Sequence, residues 1–208
     1  VTAINSQRKY GADVVSRIQA SVEGKKEALR HCIRKDLQEG ITALLKAGGK
    51  TCAQVEKIVI SCNTTMSHLL MGYDCESLGS YPFTPVNIDF IRGRAEEIIG
   101  LPLDAEVVIL PGISTYVGGD IVSGLYACGF HDSEEINLLV DLGTNGEMAL
   151  GNQKGLLVTS TAAGPAFEGA EIFMGMRAAE GAIERVSVKD GELVIGTIEH
   201  CVPVGICG

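Results

Sequence analysis

The stretch LLVDLGTNGEMALGN, Leu138 to Asn152, decides the fold. Apolar side chains lead to Asp141, then Gly143, Thr144, Asn145 and Gly146 follow, and a second apolar run resumes at Met148. Apolar segments on both sides of a small-residue break predict two paired strands. Asn145-Gly146 is the dipeptide a two-residue hairpin favours, because both central positions take positive φ. A further use is compatible with that turn. Backbone amides without side chains can approach phosphate oxygens, and a carboxylate at a strand end suits Mg2+. The hairpin alone and the hairpin with a phosphate cradle both fit these fifteen residues.

Downstream, the β runs Ile136–Leu142, Glu147–Gly151 and Leu156–Thr159 follow one another. Gly164-Pro165 then predicts a helix through AFEGAEIFMGMRA, ending at Ala178. IERVSVKDGELVIG predicts a hairpin turning at Asp190-Gly191, and CVPVGICG a last strand. Upstream, GGDIVSGLYACG, Gly118–Gly129, reads as a helix with two glycines at its head, and AEVVILPG before it as a buried strand. KIVISCN is a short β-branched strand, and TTMSHLLMG a helix capped by Asn63 or Thr64. RGRAEEIIG fits either a short helix or an edge segment. The longest helix runs from about Glu23 to Ala47, with Leu29, Ile33, Leu37, Ile41 and Leu45 on one face and Gly48-Gly49 as its stop. Strands alternating with helices give an α/β fold, and the polar FHDSEE marks a boundary between residues 1–130 and 131–208.

Composition narrows the function. The chain of 208 residues is 46% hydrophobic and carries a net charge of -9, so no basic surface for nucleic acid is expected. No apolar run reaches the ~18 residues of a membrane span, and a cytoplasmic location is expected. The seven cysteines form no C-x-x-C pair and are expected as reduced core thiols. The four histidines have no metal-ligand spacing, and Met66, Met71, Met174 and Met176 are expected in the core.

Three glycine-rich junctions follow apolar strands: Asp141–Gly146, Gly112–Asp120 and Ala163–Pro165. In α/β proteins ligands sit beyond the carboxyl ends of strands, where helix amino termini add partial positive charge. Asp141 and Asp120 are the candidate carboxylates for a water-mediated Mg2+. Asp120 alone is more often a helix-capping acid than a metal ligand, and Glu147 reads as a solvated strand-end charge.

The segments GGDIVSGLYACGFHDSEEINLLVDLGTNGEMAL, YGADVVSRI, CNTTMSHLLMG, LPGISTYVGGD, TAAGPAFEGAEIFMGMRAAEGAI and VPVGICG together resemble the actin, sugar-kinase and heat-shock-chaperone ATPase superfamily. More narrowly, they resemble the ATPase-like domain of the ferredoxin-containing reductive activators of corrinoid proteins. The resemblance implies a ribonuclease-H-like, actin-like ATPase fold of two lobes, with mixed sheets flanked by helices. Residues 1–130 would form part of one lobe and 131–208 part of the other. It also implies an ATP-dependent delivery of an electron to an oxidised cobalt corrinoid on a partner corrinoid iron-sulfur protein. By the same resemblance, Asp141 holds a Mg2+-bound water, and Gly143, Thr144, Asn145 and Gly146 cradle the β/γ-phosphates. Gly118, Gly119 and Asp120 head a helix facing the same metal, and Gly164 lies near the nucleotide. The earlier DxGT-type loop, the later nucleoside loop and the [2Fe–2S] cysteines of the family are not in this sequence, so it reads as the middle of a longer protein. A homodimer is a further expectation. Two rivals are a small-molecule kinase of the same superfamily, with Asp120 as base, and a non-catalytic docking module.

Overall fold

The computed structural model describes residues 1–143, 145–162, 173–176 and 179–207. Thr144 and Gly164 lie outside them, as does most of the helix expected from Gly164 onward. The chain divides into two compact units: Val1–Leu139 with Ala149–Thr159, and Val140–Met148 with Ser160–Gly208.

The first unit is built on a three-stranded sheet. β1 (Lys57–Ile60) runs parallel to β3 (Glu106–Ile109), and β2 (Ile91–Arg94) pairs antiparallel on the other side of β3. The segment Ile91–Ile99 is thus both of its alternatives in succession, an edge strand and then a one-turn helix, α5 (Ala95–Ile99). α1 (Val14–Ala20) starts at Asp13, whose carboxylate accepts the Ser16 amide in a capping box. α2 (Lys26–Ala47) follows a kink at Gly24, where φ is 88°, and ends at Gly48. Ile33, Leu37 and Ile41 of α2 pack on a core of Leu70, Ile98, Ile99, Leu103, Val107 and Ile109. These are three of the five residues of the expected apolar face; Leu29 packs instead with Ile18, Leu69 and Leu78.

α3 (Thr64–Met71) begins where β1 ends. The Asn63 side chain accepts the Met66 amide at 2.8 Å, and Gly72 closes the helix in the left-handed conformation. α2 also holds the carbonyls left over at helix ends. Arg30 Nε donates to Leu70 O at 3.1 Å, and Gln38 Nε2 donates to Ile99 O at 2.8 Å. A short turn, α4 (Glu76–Gly79), buries Leu78 beside Ile18, Leu29 and Leu69.

His68 is completely buried and ties α3 to the following loop. Its Nδ1 lies 2.8 Å from Thr64 O, and the Val86 amide donates to Nε2 at 2.9 Å. A donor facing Nε2 and an acceptor facing Nδ1 fit only the neutral, Nδ1-protonated ring. Burial accordingly pushes its pKa below the usual 6.5, against a smaller opposite pull from the Thr64 carbonyl. The unfolded chain therefore binds a proton near pH 6.5 that the folded chain refuses. The contribution of His68 is complete above that pH and declines as pH falls from it toward the lowered folded value, by at most ~1.4 kcal/mol per pH unit. Denaturant midpoints measured from pH 8 to 5 should show this slope in the wild type. In His68→Gln the slope should be shallower and the starting stability lower.

α6 (Gly119–Ala127) buries Ile121 and Leu125 against Val117, Phe130, Leu139, Ala149 and Val158. Three further strands form one sheet in the order β4 (Asn137–Leu142), β5 (Asn145–Asn152), β6 (Gly155–Ala162). Two residues separate each consecutive pair, a spacing that only antiparallel hairpins allow. β4 ends at Leu142 and β5 starts at Asn145, so Asn145-Gly146 is already strand and the chain reverses just before it. That corrects the turn position expected from the dipeptide.

In the second unit the strand order is β7 (Gly175–Met176), β10 (Gly205–Cys207), β8 (Ala182–Lys189), β9 (Glu192–Thr197). Gly175 and Met176 pair in parallel with Ile206 and Cys207, so the helix expected through Ala178 is corrected there. Met174 is 60% exposed with φ of 60°, not a core residue. β8 and β9 pair antiparallel across Asp190 and Gly191, at φ of 53° and 84°, the left-handed pair that a type I′ turn requires. Val186, Val188, Leu193 and Ile195 project from one face of this hairpin and are exposed.

The cysteines are also less uniform than expected. Cys32 and Cys75 are buried, Cys62, Cys201 and Cys207 half-buried, and Cys52 and Cys128 exposed. Cys52 sits in the short turn after α2 and Cys128 caps the outer end of α6, positions that pack against little. Among the described residues no helix is long and apolar enough to cross a membrane.

Candidate functional site

In the first unit, β1 and β3 run parallel and end side by side. Ser61, Cys62 and Asn63 leave β1 and enter α3, while Leu110 to Gly118 leave β3 and enter α6. Two helix amino termini therefore stand beyond the carboxyl ends of neighbouring parallel strands, the position where α/β proteins bind anions. The Thr64 hydroxyl donates to Ser114 O at 3.1 Å, and the Asp120 amide donates to Cys62 O at 3.3 Å, which stitch the two segments together.

Gly118 and Gly119 are glycines for reasons of space. A Cβ on Gly118 would stand 2.7 Å from Asn63 Cα, 2.8 Å from Thr64 N and 2.9 Å from Asp120 Oδ1. A Cβ on Gly119 would stand 2.8 Å from Leu110 O. The bare backbone thus lets the head of α6 press against the start of α3 and the end of β3. Asp120, in the first turn of α6, accepts the Ile121 amide at Oδ1 and is half-buried. Gly118, not Asp120, is the N-cap and no side chain caps the helix, so Asp120 serves as a first-turn acid facing the helix dipole, a place that also suits an oxygen ligand. Cys62 lies nearby. Burial, and then the Asp120 charge, push its thiol up to about 12, which favours the protonated form at neutral pH.

Two hydroxyls that carry no sequence signal complete this region. Ser61 Oγ lies 3.0 Å from Gly119 O and 2.8 Å from Ser123 Oγ, and Ser123 Oγ lies 2.7 Å from Asp120 O. Nothing in the sequence links positions 61 and 123, because side-chain contacts between separate elements have no period.

In the second unit, Asp141 is exposed near the end of β4. Gly143 donates its amide to Asn145 O at 2.9 Å and has open space where a Cβ would go, apart from that oxygen at 3.8 Å. Asn145 is exposed, whereas Gly146 is buried, with Thr161 Cγ2 3.3 Å from its missing Cβ. Glu147 is half-buried and accepts the Ser160 hydroxyl at 3.0 Å, rather than being a solvated strand-end charge.

Asp120 in the first unit and Asp141 in the second are each carboxylates, and hard cations such as Mg2+ take oxygen ligands. Among the described residues no group of three or more His, Cys, Asp or Glu could hold a metal. Mg2+ beside phosphates is bound through one or two carboxylates with its waters retained.

Residues 1–133 match the family described as the RACo middle region, and residues 135–208 match the C-terminal domain of RACo, the ASKHA domain. The corrinoid activation enzyme RamQ of Eubacterium limosum is 35% identical over 209 residues, covering 99% of this chain and 35% of that protein. A [Co(II) methylated amine-specific corrinoid protein] reductase of Methanosarcina barkeri is 38% identical over 91 residues, covering 43% of this chain and 17% of that protein. A solved structure of a reductive activator for corrinoid, iron-sulfur protein superimposes with a TM-score of 0.76 at 40% identity, covering 98% of this chain and 33% of that one. The chain thus spans about a third of the length of the relatives it matches from end to end. With both of its parts matched, this chain belongs to the RACo family of corrinoid activators and carries the actin-like ATPase fold.

Proposed function

We propose that the intact protein is an ATP-dependent reductive activator of a corrinoid protein, in which ATP hydrolysis drives electron delivery to an oxidised cobalt corrinoid. The observation that carries this reading is the 40% identity to a solved reductive activator across 98% of the chain. Asp120 and Asp141 are the carboxylates for Mg2+, and Asp141 acts through a water. The amides of Gly143, Asn145 and Gly146 hold the β/γ-phosphates, and the head of α6 at Gly118-Gly119 contributes its dipole; Thr144 and Gly164, of the same expected set, lie outside the described residues. Bound Mg2+ neutralises charge on the transferring phosphoryl group; positioning and electrostatics are most of what such a reaction needs. The electron comes from a [2Fe–2S] cluster carried on another domain of the polypeptide.

The test uses the intact protein with its corrinoid protein in the cob(II) state and a reductant. Adding MgATP should convert the cob(II) absorption spectrum to that of cob(I), with phosphate released and no alcohol or acid acceptor present. Cobalt reduction at the same rate without ATP would overturn the reading. Phosphate transfer strictly dependent on an added alcohol or acid would replace it with a kinase.

A further inference from the structure

The head of α6 is held to the end of β1 by a chain of hydroxyls. Ser61 stands one residue beyond β1, and its Oγ reaches both Gly119 O, at 3.0 Å, and Ser123 Oγ, at 2.8 Å. Ser123 Oγ in turn reaches Asp120 O at 2.7 Å. Two hydroxyl protons serve these three contacts. If Ser61 donates to Gly119 O, Ser123 can donate to Ser61. If Ser61 donates to Ser123, Ser123 donates to Asp120 O. Either arrangement clamps a carbonyl of the first turn of α6 to the strand end, and the carbonyl belongs to Asp120 or to the residue before it.

The other contacts of the helix head are a long backbone hydrogen bond, from the Asp120 amide to Cys62 O at 3.3 Å, and steric ones. Gly118 is pressed against Asn63 and Thr64, and Gly119 against Leu110 O. Steric contact stops the helix from moving inward but does not stop it from lifting or rolling. The Asp120 amide bond to Cys62 O resists lifting at one point, and the Ser61–Ser123 pair adds a second, shorter restraint one turn along. That pair is largely at the surface, so its hydrogen bonds add little to global stability. Their geometric effect is local and falls on the residue that carries the carboxylate.

We infer that Ser61, through Ser123, is a positioning residue that fixes the Asp120 carboxylate for a nucleotide-bound divalent cation. This rests on the proposed ATP role of Asp120. Partners that orient a metal-binding group without touching the metal typically contribute about 10–100-fold in metal affinity.

The experiment compares the intact wild-type protein with Ser61→Ala, Ser61→Thr and Ser123→Ala. Mn2+, a paramagnetic replacement for Mg2+, is titrated with ADP present and followed by its EPR signal. The Mg2+ concentration for half-maximal ATP turnover and the KM for ATP at saturating Mg2+ are measured alongside. Ser61→Ala should weaken Mn2+ binding about tenfold. It should raise the Mg2+ requirement by a similar factor while leaving the KM for ATP nearly unchanged. Ser123→Ala, which cuts the chain from the helix side, should do the same. Ser61→Thr keeps the hydroxyl and should restore most of the affinity. Wild-type Mn2+ affinity in Ser61→Ala would overturn the inference, and so would an equal loss in Ser61→Thr. Wild-type protein that binds no Mn2+-ADP and hydrolyses no ATP would overturn the proposed function and this inference with it.

Discussion

Asp141→Ala in the intact protein is expected to lower ATP turnover by about 10²–10³-fold, the loss typical when one preorganised electrostatic contact to a transition state is removed. ATP-dependent cobalt reduction should fall with it. The side chain is exposed near the end of β4, so the substitution empties no core and breaks no buried pair. Surface changes of this kind stay within about 0.5 kcal/mol in stability. A large activity loss with an unchanged unfolding midpoint would therefore report chemistry rather than folding. Asp141→Asn sharpens the result. Asparagine keeps the size and one acceptor oxygen but not the charge. It should behave like alanine if the carboxylate serves Mg2+, and like wild type if the residue only accepts a hydrogen bond. Phosphate release and the cob(I) spectrum are the two measurements, and unchanged values of both in Asp141→Ala would remove the metal role.

Gly118→Ala is expected to damage both stability and turnover. The new methyl would sit within 3 Å of the Asn63 Cα, the Thr64 amide and the Asp120 carboxylate. Two of those three are backbone and cannot swing aside. Overpacking at such sites costs about 1–3 kcal/mol. For a chain of this length that is about 2–4 °C in Tm per kcal/mol. The relief available is to push the head of α6 away from α3, which carries Asp120 with it, so turnover should fall even at temperatures where the protein stays folded. Gly40→Ala is the matched control. Gly40 lies inside α2 with nothing within 4 Å of its missing Cβ, so alanine there should raise stability by about 0.5–1 kcal/mol. Circular dichroism melts of the two variants, with ATP turnover at 25 °C, check the pair. A Gly118→Ala protein as stable and as active as wild type would contradict the close packing.

The elements legible in the sequence are those whose signals are local. Asn63 caps α3 from the next turn, Gly118 and Gly119 head α6, and Asp190-Gly191 turns the β8–β9 hairpin through its own φ preferences. α2 shows its apolar face by helical spacing. Other elements are defined by distant partners. Ile91–Arg94 becomes a strand because β3 pairs with it, and the helix directly after it packs Ile98 and Ile99 into the same core. Gly175-Met176 becomes a strand because Ile206 and Cys207 reach it, which no helical pattern around Met174 can reveal. At the site, glycine and aspartate stood out because few side chains tolerate a strand-to-helix junction. Ser61 and Ser123 did not, because serine is common and the pairing exists only once β1 and α6 are packed together.

The hairpin of the second unit has a practical consequence. Val186, Val188, Leu193 and Ile195 form an aliphatic strip in water, and among the described residues β9 is an outermost strand with an unpaired edge. Greasy surface beside open amide and carbonyl groups makes a polypeptide adhesive to its own copies. Purified alone, these 208 residues should therefore bind fluorescent apolar dyes and cloud as they are concentrated, and a lysine at position 188 would keep them dispersed.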